Sequence, residues 1–115
     1  MATADTRSVS ILIWNYHDDD LPAPPAQISL TLEGPPNGRA MLTHYRVDTD
    51  HSNAYTAWKS MGSPQSPTAS QRDALMKAAV LQTLGPPERV TIADRRAVVT
   101  FALPRQGVSL VRMTW

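Results

Sequence analysis

The densest group of acidic side chains in this 115-residue chain is Asp18-Asp19-Asp20, directly after His17. Carboxylate oxygens are the ligands that calcium and other hard cations prefer, so this run has the chemistry of a metal loop. It lacks the spaced acidic positions and the central glycine of an EF-hand. Three adjacent like charges after an apolar segment are typical of a solvated turn, and a turn is our interpretation.

Two histidines and two glutamates are further candidates for acid–base or metal chemistry. His44 and His51 are seven residues apart, and no third or fourth zinc ligand accompanies them. Glycosidase chemistry needs two carboxylates at a fixed separation, and nothing in the sequence brings Glu33 and Glu88 together. The sequence therefore predicts no catalytic residue, no metal ligand and no cofactor.

Three tryptophans could stack on sugars, because an aromatic face suits the C–H face of a pyranose. Trp14, Trp58 and Trp115 each fall on a regular apolar period, which favours packing in a core or an interface. An exposed aromatic platform would instead indicate a free-standing carbohydrate-binding module. Both interpretations stay open at this point.

These residues lie in six short segments with strand patterns. Ser8–Tyr16 is apolar on both faces, with Ile11 and Ile13 on one side and Leu12 and Trp14 on the other. The other predicted strands are Gln27–Glu33, Arg39–Val47, Arg89–Ala93, Ala97–Leu103 and Val108–Trp115. Their even spacing and the ten prolines between and around them predict a mainly β fold, an antiparallel β-sandwich.

A helix–loop–helix is predicted within this series, over residues 52–84. Ser52 or Asn53 can cap the first helix, whose apolar residues recur every third position at Tyr55, Trp58 and Met61. Thr68 and Gln71 form a capping-box pattern for a second helix over Ala69–Leu84, which Gly85 would end.

Composition excludes several classes of function. The net charge of +1 leaves no electrostatic surface for nucleic acid or an anionic membrane. No apolar run approaches the roughly 20 residues of a membrane span, and Met1–Arg7 lacks the apolar core of a signal peptide. We expect a soluble domain over residues 8–115, preceded at 1–7 by a tail that is disordered or foreign to the protein.

Several runs resemble the region that follows the catalytic barrel in β-xylosidases of glycoside hydrolase family 39. The strongest are His44-Tyr45-Arg46-Val47-Asp48, Ser52–Trp58 and Met61-Gly62-Ser63-Pro64-Gln65 with Pro67-Thr68; Trp14–Asp20 and Leu103–Leu110 also fit. A looser form of residues 53–67 resembles animal α-L-iduronidase. Together the runs cover nearly all of the chain after Arg7.

The resemblance implies a C-terminal accessory β-sandwich with a helical insertion, whose partner is a (β/α)8 barrel that supplies both catalytic glutamates. Such a barrel needs about 250 residues, so this chain cannot contain one and inherits no catalytic residue. The alternative functions are a carbohydrate-binding module and a small independent enzyme. The compartment stays open between bacterial cytoplasm and periplasm.

Two apolar surfaces are expected to need a partner. One is a face of the first strand, which we assign to Ile11 and Ile13, and the other is the Tyr55, Trp58 and Met61 stripe. Together they form the predicted docking face for the barrel. Without that partner we expect self-association through these residues, or mobility of residues 51–68.

Overall fold

The computed structural model describes every residue from Met1 to Trp115. It contains strands β1 (Ala2–Ala4), β2 (Ser8–Trp14), β3 (Ala26–Glu33), β4 (Gly38–Val47), β5 (Gln82–Thr83), β6 (Glu88–Ile92), β7 (Arg96–Leu103) and β8 (Val108–Thr114), and helices α1 (Ala54–Ser60) and α2 (Ala69–Ala79). The mainly β fold with two inserted helices is thus confirmed. No helix has the length and apolar character needed to cross a membrane.

Two antiparallel sheets form the sandwich. The larger has the order β1-β2-β8-β4-β5, with β6 also paired to β4, and the smaller consists of β3 and β7 alone. The core lies between them, because alternate residues of each strand point inward. Its buried members are Leu32, Ala40, Leu42, Ile92, Ala97, Val99, Val111 and Met113.

Two of the four connections that cross between the sheets contact each other. Asn37-Gly38 is a sequence typical of a hairpin turn, but the loop Gly34–Gly38 joins β3 of the small sheet to β4 of the large one, so it is not a hairpin connection. Asp94 and Arg95, both at positive φ, turn the chain from β6 to β7. The Arg95 amide donates to Asn37 Oδ1 at 2.6 Å, and its guanidinium donates to the Gly34 carbonyl at 2.7 Å. These bonds hold one end of the sandwich closed.

The end of the second helix was predicted wrongly. Helix α2 stops at Ala79, and Val80 is extended with φ −62° and ψ 136°. Gln82 and Thr83 then pair with Arg46 and Tyr45 of β4 as strand β5. The pairing uses backbone groups of a distant strand, so the apolar residues after Ala79 could not reveal it.

The first seven residues were expected to form a disordered or foreign tail, and disorder is contradicted. Strand β1 pairs with β2, with Ala2 opposite Ile11 and Ala4 opposite Val9. The Met1 carbonyl also accepts the Leu12 amide at 2.8 Å. This pairing satisfies backbone groups on the edge of β2 that the apolar pattern alone could not assign.

The molecule is extended for its size. Its radius of gyration is 17.2 Å, against about 13 Å for a compact domain of this length. Its accessible surface is 7826 Å², whereas a globular monomer of the same mass exposes about 6,200 Å². Neither helix contains a buried residue. The protruding helices and the small second sheet therefore leave an unusually large surface exposed.

Candidate domain-docking site

The first helix presents an aromatic pair on its surface. The rings of Tyr55 and Trp58 stack with centroids 5.7 Å apart and an interplanar angle of 28°. The Lys59 ammonium lies 5.3 Å from the centre of the Tyr55 ring. Trp58 Nε1 donates to the Pro64 carbonyl at 3.0 Å, which ties the helix to the loop that follows it. The pair is thus held rigidly, while Tyr55 remains 62% exposed.

Met61, the third predicted member of this stripe, ends the helix. Its amide bonds to the Ala57 and Trp58 carbonyls as the C-cap, and its side chain is half-buried. Gly62 follows with φ of 86°, the left-handed conformation that commonly ends helices. The expected stripe of three residues therefore exists, with its exposed part concentrated at Tyr55.

Polar side chains fix the base of the hairpin formed by α1 and α2. The Asn53 side chain caps α1 by accepting the Tyr55 and Thr56 amides, and it donates to the Asp48 carbonyl at 2.9 Å. The Ser52 hydroxyl donates to the Arg46 carbonyl and accepts the Gln82 amide at 2.7 Å. Because Ser52 precedes α1 and Gln82 follows α2, this one hydroxyl joins both ends of the hairpin.

A buried network connects that base to the sandwich core. Arg46 is 4% exposed and donates to Ser109 Oγ at 3.0 Å, to Asp48 Oδ2 at 3.3 Å and to the Ala102 carbonyl at 2.9 Å. His44 Nε2 lies 2.9 Å from Ser109 Oγ. Because Arg46 donates to that oxygen, the serine hydroxyl can donate in turn to a neutral His44. The guanidinium thus links both sheets and the hairpin.

The titration of two groups reflects this burial. Burial lowers the pKa of His44 below its usual value near 6.5, and the positive charge of Arg46 lowers it further. For Asp48, burial raises the pKa, but hydrogen bonds from the His51 side chain, the Asp50 amide and Arg46 outweigh it, so the pKa lies below 3.8. The network therefore favours the neutral form of His44 and the ionised form of Asp48.

Ile11 and Ile13 do not lie on an exposed face. Both pack against the core cluster from the inner side of β2. Strand β2 is apolar on both sides. The alternation correctly divided its residues between two faces, but it could not predict which face meets the second sheet. The outward residues are Leu12 and Trp14, and the assignment of Ile11 and Ile13 to a docking face was wrong.

The outward side of β2 belongs to a larger apolar surface that the sequence reasoning missed. The register places Leu12 beside Leu110 and then Tyr45, and Trp14 beside Val108 and then Val47. These six residues form two adjacent rows across β2, β8 and β4. The signal was present in the sequence, because every second residue of those three strands is apolar near one end.

The three tryptophans have three different environments. Trp115 packs against the core, and Trp58 is half-buried in the hairpin. Trp14 is 56% exposed and so lies outside the core, whereas the expectation for all three had been a core or an interface. With Tyr16, itself 69% exposed, it lines a cavity of about 300 Å³ beside Gly107 and Val108.

The remaining candidate residues lie apart from one another. Asp19 pairs with Arg105 in the loop after β2. His44 and His51 contact different partners, Ser109 and Asp48. Glu33 ends β3 in the small sheet, whereas Glu88 begins β6 in the large one. No group of three or more histidine, aspartate or glutamate side chains is arranged to hold a metal ion.

Solved structures share the fold over almost the whole chain. A family-39 glycoside hydrolase from Xanthomonas axonopodis pv. citri superposes with a TM-score of 0.84 over 98% of this chain at 18% identity. A monomeric β-xylosidase from Caulobacter crescentus CB15 gives 0.78 over 98% at 22% identity. A bacterial orthologue of human α-L-iduronidase gives 0.69 over 94% at 22% identity. No protein of curated function matches in sequence.

The match occupies only part of each of these proteins. The chain spans 25% of the Xanthomonas and Caulobacter chains and 20% of the iduronidase orthologue. The sequence model described as glycosyl hydrolases family 39 matches residues 1–86, which is most of the chain. On that match, the chain belongs to glycosyl hydrolase family 39.

Proposed function

We propose that this chain is the non-catalytic accessory domain of a β-xylosidase-like retaining glycoside hydrolase and packs on a (β/α)8 catalytic barrel. The proposal is carried by the extent of the structural match: nearly all of this chain corresponds to only 20–25% of each relative. The rest of each relative is long enough for a barrel of about 250 residues.

The shape of the domain supports this role. It exposes about 1,600 Å² more surface than a globular monomer of its mass, taking 7826 Å² against about 6,200 Å². An excess of that size exceeds the roughly 800 Å² that one partner buries in a standard protein–protein interface. The hairpin is tied to the sheet by hydrogen bonds at its base, but neither of its helices contains a buried residue, which suits a part that packs on another domain.

Catalysis by this chain itself has no support in its geometry. A retaining glycosidase needs two carboxyl groups about 5 Å apart, and the two glutamates belong to different sheets. The purified chain should therefore not hydrolyse an aryl β-xyloside above the buffer rate. Turnover that is lost on Glu33→Gln or Glu88→Gln would overturn the proposal.

One observation favours a second candidate function, sugar binding. Trp14 and Tyr16 are exposed beside a cavity of about 300 Å³, as a carbohydrate-binding module would require. Under the accessory-domain proposal, xylotriose binds no tighter than about 1 mM, near 4 kcal/mol. Micromolar, saturable changes in tryptophan fluorescence that are lost in Trp14→Ala and kept in Trp58→Phe would favour the binding module.

A further inference from the structure

Resting on the proposed function, we infer that the catalytic domain packs on the outer sheet face, meaning the side of the six-stranded sheet turned away from β3 and β7. We also infer the chemistry of the catalytic domain's own surface at this contact. That surface is apolar where it meets one half of the outer sheet face and carries carboxylates where it meets the other half. Both parts follow from the order of side chains along the strands.

The apolar half comprises the two rows at one end of the face. The first row runs Leu12, Leu110, Tyr45, and the second runs Trp14, Val108, Val47. Trp14 is 56% exposed and Val47 38% exposed, although both lie in regular strands. Six contiguous apolar side chains on a sheet surface are unusual for a face in contact with water.

The other half is basic. Continuing along the strands, Arg112 lies beside Thr43, Arg89 beside Met41 and Arg39 beside Thr91. All three arginines are exposed, and none forms a salt bridge. Long exposed arginines matched to no carboxylate are suited to pair with acidic groups across an interface, where they add specificity.

One carboxylate of this chain lies near the basic half, but it is already engaged. The oxygens of Asp5 accept hydrogen bonds from the Arg7 and Ser8 amides and from the Ser8 hydroxyl. The bond from the Arg7 amide is the main reason why the pKa of Asp5 is lowered. The positive charge of Arg112 also lowers the pKa of Asp5, so Asp5 offsets part of that charge without a direct ion pair. No salt bridge engages Arg39 or Arg89.

A second copy of this chain fits the face poorly. An isologous pairing would bring the same three arginines from each copy to the interface, and Asp5, whose charge already acts on Arg112, as the neighbouring carboxylate. A different domain can place carboxylates opposite them. The extent of the face also suits a domain interface: four strands and five rows of residues give a flat footprint of about 500 Å² before side-chain relief is counted.

Hydroxyl-radical footprinting of the isolated chain and of the full-length polypeptide tests the inference. Trp14 and Met41, both on the outer sheet face, should oxidise at least about five-fold more slowly in the full-length protein, because an interface core excludes solvent. Val98 is 54% exposed on β7 of the small sheet and should keep its rate. Unchanged rates at Trp14 and Met41 would overturn the inference.

Two pairs of matched variants add an independent readout. Val47 and Val98 are exposed valines on opposite outer faces of the sandwich, so Val47→Asp should lower the melting temperature of the full-length protein by several degrees more than Val98→Asp. Arg112→Glu should likewise exceed Arg96→Glu, since Arg96 lies at the start of β7 in the small sheet. In the isolated chain the members of each pair should differ little. Equal effects in the full-length protein would contradict the assignment of the face.

The outcomes separate this inference from the proposed function. If the full-length polypeptide contains no catalytic domain, both fail together. If it contains one and protection appears elsewhere, such as at Met76 on α2, the accessory role stands and the outer sheet face is wrong. If the isolated chain dimerises and Val47→Asp abolishes the dimer, while Trp14 oxidises at the same rate in the full-length protein, the occupant is a second copy and the inference is overturned.

Discussion

At the scale of single residues, the least replaceable side chain is Arg46. It is buried and forms three hydrogen bonds, to the hydroxyl of Ser109, the carboxylate of Asp48 and the carbonyl of Ala102. Each of these acceptors loses one hydrogen bond if the guanidinium is removed, although Asp48 keeps those from Asp50 and His51. The cost of removal therefore comes mainly from the groups left behind.

Arg46→Met should lower the free energy of unfolding by about 3–5 kcal/mol, because it removes one partner of the largely buried Arg46–Asp48 pair together with the bonds to Ser109 and Ala102. Arg89→Met is the control, since Arg89 is exposed and unpaired, and it should change stability by less than about 0.5 kcal/mol. Urea unfolding of both variants measures the difference. Similar values for the two variants would mean that the network is not structural.

The pH dependence of stability should be set in part by His44. Its pKa is lowered in the folded state, so the unfolded chain binds the proton more readily below about pH 6.5. Stability is then full above pH 6.5 and falls as the pH drops from there toward the folded-state pKa. His44→Gln, which can still accept from Ser109, should flatten this decline. An unchanged pH profile of urea midpoints in the variant would refute the assignment.

At the scale of elements, the hairpin formed by α1 and α2 is held at its base and by its caps. Asn53 caps α1, and Thr68 with Gln71 forms the predicted capping box of α2. No helical residue is buried to add tertiary stability. Short helices depend on such local contacts, because propagation over seven residues does not recover the cost of nucleation.

Asn53→Ala should weaken α1 by about 1–2 kcal/mol, since two amides of the first turn lose their acceptor. The expected readout is faster hydrogen exchange of the α1 amides, with the strand amides little changed. Ser66→Ala is the control, because Ser66 is exposed in the loop between the helices. Equal exchange in the two variants would show that the cap contributes nothing.

In the isolated chain, amides of the hairpin should exchange faster than those of β4 and β8. The strands are central in the six-stranded sheet and line the core, whereas the helices bury no residue. Local stability follows burial, so the hairpin belongs to the least protected part of the fold. Protection of residues 51–68 equal to that of the strands would mean that the hairpin needs no partner.

What the sequence could predict at this scale depended on whether the signal was local. The caps at Asn53 and Thr68 and the alternation in β3 and β7 are local, and those elements were found within one or two residues. The end of α2 was missed because β5 is fixed by pairing with β4, and β1 because it is fixed by pairing with β2. For β2, apolar residues on both faces hid which face meets the core.

At the scale of the whole molecule, the two layers are unequal. The large sheet has six strands and the small one two, so β3 and β7 each keep one edge without a strand partner. Unpaired edges and the apolar rows of the outer sheet face are both features that proteins usually cover. These features agree with the proposed role as an accessory domain that packs on a second domain.

The candidate docking site was only partly predictable for the same reason. The stripe on α1 could be placed because its residues recur along one helix. The outer sheet face could not, since its two apolar rows come from β2, β4 and β8, which become neighbours only through the sheet order. The family resemblance predicted the partner, a catalytic barrel, whereas the outer sheet face could be identified only from the register of β2, β8 and β4.

The most direct test of the accessory-domain account is binding between this chain and the proposed catalytic domain, each purified from the same full-length polypeptide. Titration calorimetry should give a 1:1 complex with a Kd below about 10 μM, near 7 kcal/mol. Turnover of an aryl β-xyloside by the catalytic domain confirms beforehand that it is folded. A folded, active catalytic domain that fails to bind the chain at about 100 μM would contradict the account.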